Sequence, residues 1–363
     1  MDDPFKEYIR ESEPDKREKK YAWHTAVGLQ AVDGLKTSEY LLHTAARNIE
    51  GEISLEEASA LLQSYYEENP SGDPLDRTEE ADKVSVRIAT ILSEKAFSFT
   101  PNEYLSIHRK LFTGIYPHAG RIRNYNITKR EWVLDGATVL YGSATELRAT
   151  LEYDFSQEKK FSYKGLSMDE IIHHLAVFIS GLWQIHVFGE GNTRTTAVFF
   201  IRYLRTLGFD VTNDIFAENA WYFRNSLVRA NYNDLKNGIH GTTEFLELFL
   251  RNLLLKESHP LLNRTLHISG AFKKNEKADI GDEKADIDKI ESDIANAFQP
   301  KTAYLVSRLH MAFPAGAIFG RSGVMDVLNV KHTRASELLK IMAEKGFIEP
   351  VNGYGKGRYR FKC

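Results

Sequence analysis

The sequence predicts a mainly α fold: an all-helical body carrying one small β-hairpin, followed by a smaller α+β domain. Three observations carry that expectation. Apolar residues recur at helical spacing through most of residues 21–255, and two of the runs open on Ser-x-x-Glu capping boxes. Before residue 300, one stretch near 120–134 has the β-branched and aromatic character of paired strands. The charge balance also changes sign along the chain. Residues 301–363 hold 11 Lys/Arg against 4 Asp/Glu, a net +7, and the remainder holds 36 against 46, a net −10.

A length of 363 residues allows two or three domains with sizeable cores, and 42% hydrophobic with 27% charged residues is ordinary for a globular protein. No apolar run approaches the ~18 residues of a membrane span, and no export segment opens the chain. Cys363 is the single cysteine, which excludes a disulfide within the chain and fits a reducing cytoplasm. No Cys/His cluster has zinc spacing.

In chain order, residues 1–20 are charge-rich and read as a loose arm. Ala26, Leu29, Val32 and Leu35 form one helical stripe, and Tyr40 through Ile49 another, ended by Gly51. Ser54 with Glu57 opens a third helix. Residues 69–82 read as a turn-rich connection. Val84–Glu94 and Thr100–Thr113 follow as helices, the latter with Pro101 in its first turn. Residues 120–134 read as strand, turn and strand about Lys129-Arg130. Glu146–Leu151 is a short helix, and Phe161–Gly165 a loop. Ser167 with Glu170 then caps a helix through Ile185, and residues 197–207 make a helix apolar nearly all round, hence buried. Ala220–Asn237 and Thr243–Leu255 complete the body. Glu276–Asp293 holds eight acids and three lysines and reads as a charged linker.

Between the two apolar helices lies His186-Val-Phe-Gly-Glu-Gly-Asn-Thr-Arg194. Free N–H groups at a helix start, with the helix dipole behind them, favour an anion. Gly189 and Gly191 let the backbone approach a ligand. Arg194 can pair with phosphate oxygens. Glu190 is a hard oxygen ligand suited to Mg²⁺ shared with a polyphosphate, and His186 is the natural base for an attacking hydroxyl. The ligand these residues predict is a nucleotide polyphosphate with a metal.

This order of residues resembles the signature of the Fic family, His-x-Phe-x-(Asp/Glu)-Gly-Asn-Gly-Arg-x-x-Arg. The resemblance spans roughly residues 30–260 and implies transfer of AMP from Mg²⁺-ATP to a protein Ser, Thr or Tyr hydroxyl. It implies that His186 is the general base, Phe188 a core anchor, Glu190 the Mg²⁺ ligand, Asn192 the α-phosphate holder and Arg194 the β/γ-phosphate clamp. Thr193 stands where Gly is usual, and Ala197 where the family has a second Arg. Glu50-Gly51 resembles the end of the inhibitory motif (Ser/Thr)-x-x-x-Glu-(Gly/Asn), with Ala46 at its first position. Glu50 is therefore either an inhibitor of the nucleotide site or a solvated glutamate at a helix end. The resemblance further implies a target-binding flap from Ile127 and Thr128 to Trp132 and Val133, and contacts to the base at Asn231 and near Tyr222.

The last 60 residues resemble a winged helix-turn-helix. Ala303–Met311 and Val324–Leu328 read as short helices and Thr333 starts a capped one. Phe347-Ile348 and Tyr359-Arg360-Phe361 flank a glycine-rich wing. This resemblance puts Arg334 and Lys340 in a DNA major groove and Lys356, Arg358 and Arg360 on phosphates.

The expected layout is an N-terminal helical segment (1–75) with the inhibitory helix, a catalytic body (76–270), a charged linker (271–298) and a winged domain (299–363). The expected activity is protein adenylyl transfer. Two other readings are a nucleotide-sensing DNA-binding regulator without turnover, and hydrolytic removal of AMP with Glu50 positioning water. The sequence leaves open whether the acceptor is the chain itself and whether the chain forms a homodimer.

Overall fold

The computed structural model describes residues 14–70, 76–212, 214–269 and parts of 297–362. The chain divides into two compact units, residues 1–272 and 273–363.

The first unit is helical. It runs through α1 (Pro14–Gly28), a 3₁₀ turn (Leu29–Asp33), α2 (Glu39–Glu50), α3 (Leu55–Glu68), α4 (Thr78–Ser93), α5 (Pro101–Phe112) and α6 (Leu147–Lys160). α7 (Met168–Ile185), α8 (Asn192–Thr206), α9 (Ile215–Glu218), α10 (Ala220–Ala230), α11 (Glu244–Leu255) and α12 (Asn263–Leu266) follow. α8 is the axis of this unit. Every residue from Asn192 to Leu204 is buried, and α4, α5, α7 and the 3₁₀ turn pack around it. An apolar surface on all sides of a helix can be satisfied only inside a shell of other helices. Both capping boxes form, Ser54 with Glu57 and Ser167 with Glu170. No helix among the described residues is long and apolar enough to cross a membrane.

Several boundaries differ from expectation. α1 begins at Pro14, inside the supposed loose arm, because Tyr21, Trp23 and Ala26 give it a buried face. α4 starts at Thr78, within the expected connection. α6 runs on to Lys160 because Leu147, Leu151 and Phe155 continue one apolar stripe. α10 stops at Ala230 rather than reaching Asn237. The Asn231 side chain donates to the Leu227 carbonyl at 2.9 Å and competes with the helical ladder.

The expected hairpin is present only in outline. Lys129-Arg130 is not the turn and no strand is assigned in residues 121–142. The chain reverses instead through a 3₁₀ turn at Trp132–Leu134 followed by Asp135 and Gly136, both at positive φ. Asp-Gly is a dipeptide that accepts that conformation. The two arms are joined by Glu131 N–H to Ala137 O at 2.9 Å and by Lys129 N–H to the Thr138 hydroxyl at 3.3 Å. A side-chain acceptor thus replaces part of the ladder.

The second unit contains β1 (Phe319–Gly320), α13 (Arg321–Leu328), α14 (His332–Glu344), β2 (Ile348–Pro350) and β3 (Arg358–Phe361). The strands form an antiparallel sheet in the order β1-β3-β2, with Ile348 opposite Phe361 and Phe319 opposite Tyr359. Val306, Leu309, Val324, Leu338, Met342, Ile348 and Phe361 share one core. α14 begins after Lys331, which makes no side-chain cap, so the cap expected at Thr333 is not formed. Residues 271–296 of the expected linker, and Lys356 of the wing, lie outside the described residues.

Candidate functional site

α7 ends at His186, which adopts the left-handed conformation, φ 52° and ψ 58°. A non-glycine residue is strained there and must be held by its surroundings. Arg123 does the holding. Its buried guanidinium donates to the carbonyls of His186 at 2.7 Å, Tyr125 at 2.5 Å and Gly142 at 2.6 Å. The Arg123 N–H adds a bond to Val187 O at 3.0 Å.

The next turn is braced from within. Asn192 Oδ1 accepts from Phe188 N–H at 3.0 Å and its Nδ2 donates to Phe188 O at 2.8 Å. His108 stacks on Phe188 with ring centres 3.7 Å apart. The His108 Nδ1 accepts from Gly120 N–H at 2.8 Å, so its Nε2 carries the proton and donates to the Glu190 carbonyl at 3.0 Å. Burial pushes His108 down to about 3, which keeps that tautomer neutral. Gly191 has φ 74°, and a Cβ there would lie 2.4 Å from the Phe112 ring.

The His186 imidazole is 3% exposed. It lies 4.2 Å from the Tyr141 ring and 5.2 Å from Trp183. Neither ring nitrogen has a hydrogen-bond partner among the described residues. Burial first, and the Lys129 charge after it, hold its protonation well below the ordinary histidine range. The result is a neutral imidazole able to accept a proton. Beside it, Gly191 precedes α8 and offers no side-chain cap, so the first amides of the helix remain available to an anion. Glu190 projects outward, its side chain 55% exposed, and pairs with Lys129 Nζ at 3.1 Å. One accessible carboxylate fits Mg²⁺ shared with phosphate oxygens and water, the usual way a nucleotide metal is held.

Arg194 is different. Its side chain is fully buried. It donates to Gln30 Oε1 at 3.0 Å, Glu80 Oε1 at 2.7 Å and the Tyr116 hydroxyl at 3.2 Å. Its Nε faces Asp33 Oδ2 at 2.8 Å as an ion pair without hydrogen-bond alignment. Arg77 also grips Glu80, at 2.8 and 2.7 Å, and Tyr116 donates to it at 2.7 Å. Two guanidiniums and two carboxylates therefore balance in one cluster, with Arg194 and Glu80 inside and Arg77 and Asp33 reaching solvent.

The remaining expected residues are dispersed. Glu50 does not reach Arg194; it is exposed and pairs with Lys16 Nζ at 2.7 Å, because α2 turns that end of its surface to solvent. Thr193 accepts from Trp183 Nε1 at 3.0 Å. A Cβ on Gly189 would meet the Tyr125 hydroxyl at 2.5 Å. Tyr222 is buried in the core, and Asn231 fastens α10 to the Ser180 carbonyl of α7 at 2.9 Å. Along the flap, Ile127 is half-buried and Thr128 exposed. Trp132 packs edge-on to His267, and Val133 is buried with its carbonyl taken by Ile268 N–H. In the second unit Arg334 pairs with Glu337, Lys340 with Glu344 and Arg360 with Glu349, while Arg358 is exposed.

Arg123, His108, Asp33 and Glu80 carry no local sequence signal as site residues.

Residues 98–204 match the Fic/DOC family. That span runs from just before α5 into the last turn of α8 and includes His108, Arg123, Lys129 and the whole of the His186–Arg194 loop. Among solved structures the chain is similar to a Fic family protein from Desulfovibrio desulfuricans G20, with 13% identity over 99% of this chain and 90% of that one and a TM-score of 0.42. No curated protein matches.

Proposed function

We propose, from the premise of a Fic/DOC match over residues 98–204, that this chain is a protein adenylyltransferase, moving AMP from ATP to a Ser, Thr or Tyr hydroxyl of a protein. One observation carries the reading: a buried, neutral His186 without a partner on either ring nitrogen, beside an uncapped helix start. A hydroxyl oxygen attacks the α-phosphorus while His186 accepts its proton. The bond from the α-phosphorus to the bridging oxygen breaks, and pyrophosphate leaves. The first amides of α8 stabilise the charge that develops on the α-phosphoryl oxygens. Asn192 keeps those amides in place by bracing Phe188. When bound at Glu190, Mg²⁺ supplies charge neutralisation for the leaving pyrophosphate. The flap segment, with Thr128 exposed and Ile127 half-buried, offers main-chain groups to an extended acceptor.

The state of Arg194 favours a second reading, a nucleotide sensor without turnover whose basic C-terminal unit acts on DNA. Arg194 already has two carboxylates, so a polyphosphate must displace one of them. A helix pair followed by strands, a net charge of +7 and exposed Arg358 support a winged domain on phosphates. Its exposed ion pairs cost little to exchange for phosphate.

Incubation of the chain with α-labelled ATP and Mg²⁺, beside His186→Ala, separates the two. Label on protein in the wild type and none in the variant supports transfer. ATP binding with no label in either supports the sensor.

A further inference from the structure

A histidine base is usually oriented by a hydrogen bond to its second ring nitrogen. His186 is held differently, since neither nitrogen has a hydrogen-bond partner among the described residues. Rings hold it instead. Trp183, one turn back on α7, stands nearly perpendicular to the imidazole, with ring centres 5.2 Å apart. Its Nε1 donates to the Thr193 hydroxyl of α8 at 3.0 Å, so that ring is fixed from both helices. Tyr141 is the nearer ring, at 4.2 Å and an angle of 44°. It also packs edge-on to Trp183 at 5.8 Å.

Tyr141 lies on the flap arm after Gly136 and is tied down at both ends. The next residue, Gly142, gives its carbonyl to Arg123 at 2.6 Å and its N–H to the Gln184 carbonyl at 3.3 Å. At the other end the Tyr141 hydroxyl donates to Glu131 Oε1, on the opposite arm, at 3.0 Å. Burial, and Glu131 after it, raise the phenol above its ordinary range, so it keeps the proton for that bond. The Glu131 side chain is 1% exposed, and a buried carboxylate requires a cation. Arg224 of α10 supplies it, as an ion pair at 2.7 Å. Three side chains thus run in series from α10 to the face of the imidazole.

Resting on the transferase reading above, we infer that Tyr141 is a positioning residue for His186: its ring fixes the plane of the imidazole, and Glu131 with Arg224 fixes the ring. Without a hydrogen bond on either nitrogen, ring packing is what limits rotation of the base. A displacement of about 1 Å in an active site can cost roughly a hundredfold in rate. The same ring covers the imidazole from water. Burial keeps His186 neutral, and the charged groups facing it, Lys129, Arg224 and Arg123, are cations that act in the same direction.

The test compares wild type, Tyr141→Leu and Tyr141→Phe in the full chain. The first variant keeps apolar bulk without a ring, and the second keeps the ring without the hydroxyl. Tyr141→Met, also ringless, takes the place of Tyr141→Leu should the melting temperature show that it does not fold. Tyr141→Leu is expected to lower kcat for transfer of label about a hundredfold and to leave ATP affinity, by calorimetry, within about twofold. Tyr141→Phe is expected to recover to within about tenfold of wild type. The carbon-bound ring protons of His186, followed by NMR from about pH 5 to 8, read the contact without turnover. In wild type they should not titrate; in Tyr141→Leu they should titrate toward about pH 6.5, as an imidazole open to water does. A ringless variant with the wild-type kcat, or with the wild-type imidazole titration, overturns this inference and leaves the transferase reading standing. A wild type that transfers no label overturns the transferase reading, and the titration still decides whether Tyr141 holds the imidazole.

Discussion

Arg194 and Glu80 meet at 2.7 Å across 114 residues of chain, and the guanidinium they share with Asp33 has no exposure to solvent. The motif arginine is therefore held by the protein's own acids. Glu80→Gln keeps the shape and removes one of these charges. It is expected to raise ATP affinity several-fold in a titration. It should also cost roughly 1–3 kcal/mol of stability, since a buried guanidinium loses a charged acceptor.

The same contact gives stability a pH dependence. Burial raises the Glu80 carboxyl, but Arg77 and Arg194 outweigh it and hold the group below the ordinary carboxylate value. A depressed acid stabilises the fold above its unfolded value and loses that contribution as pH falls through its folded value. Below about pH 4.5 the wild type should lose stability to urea more steeply than Glu80→Gln.

Histidines act in a higher window. His108 and His186 are both depressed by burial, His108 to about 3. Above about pH 6.5 neither state binds the proton and there is no effect. Below it the unfolded chain takes up protons that the folded chain refuses, so stability falls toward acid. Urea titrations at pH 5 and 7 should show that loss, and His108→Gln should remove part of it. Because His186 is already neutral at pH 6.5, transfer should not show the rise through that pH expected of an ordinary histidine base.

Gly191→Ala asks a side chain to adopt φ 74° with its Cβ 2.4 Å from Phe112. The left-handed conformation alone costs about 1–2 kcal/mol, and the collision adds to it. A melting-temperature drop of several degrees is expected, with loss of nucleotide binding because that residue leads directly into α8.

Glu50→Gly removes a surface ion pair to Lys16. Such pairs contribute ~0–1 kcal/mol. The variant should label protein no faster than wild type in the ATP assay; a gain would bring Glu50 back as the inhibitor.

These outcomes follow from contacts of two kinds, and only one kind is written locally. α7 and α8 were legible because Ile171, Leu175, Phe178, Leu182 and Ile185 repeat at helical spacing, and because residues 197–204 have no polar face except Arg202. The loop between them was legible because its glycines, carboxylate and histidine are adjacent in sequence. Asp33, Glu80 and Arg123 reach the same place from a 3₁₀ turn, from α4 and from a segment without regular structure. Nothing local marks which buried charge a distant helix will meet, since that is decided by packing. The flap turn was misplaced for a related reason: basic Lys129-Arg130 looked like the solvent-facing tip, whereas Asp135-Gly136 could take the positive φ that the reversal needs.

Arg123 has one consequence outside the chemistry of the base. By taking the carbonyls of Tyr125 and Gly142 together with that of His186, it closes residues 125–142 into a loop whose two feet stand on a single side chain. The segment between the feet can change in length or sequence while the distance from either foot to the imidazole stays constant. The anchoring of that segment is in that sense independent of its own sequence, while Lys129 and Tyr141 within it still set the surroundings of the imidazole.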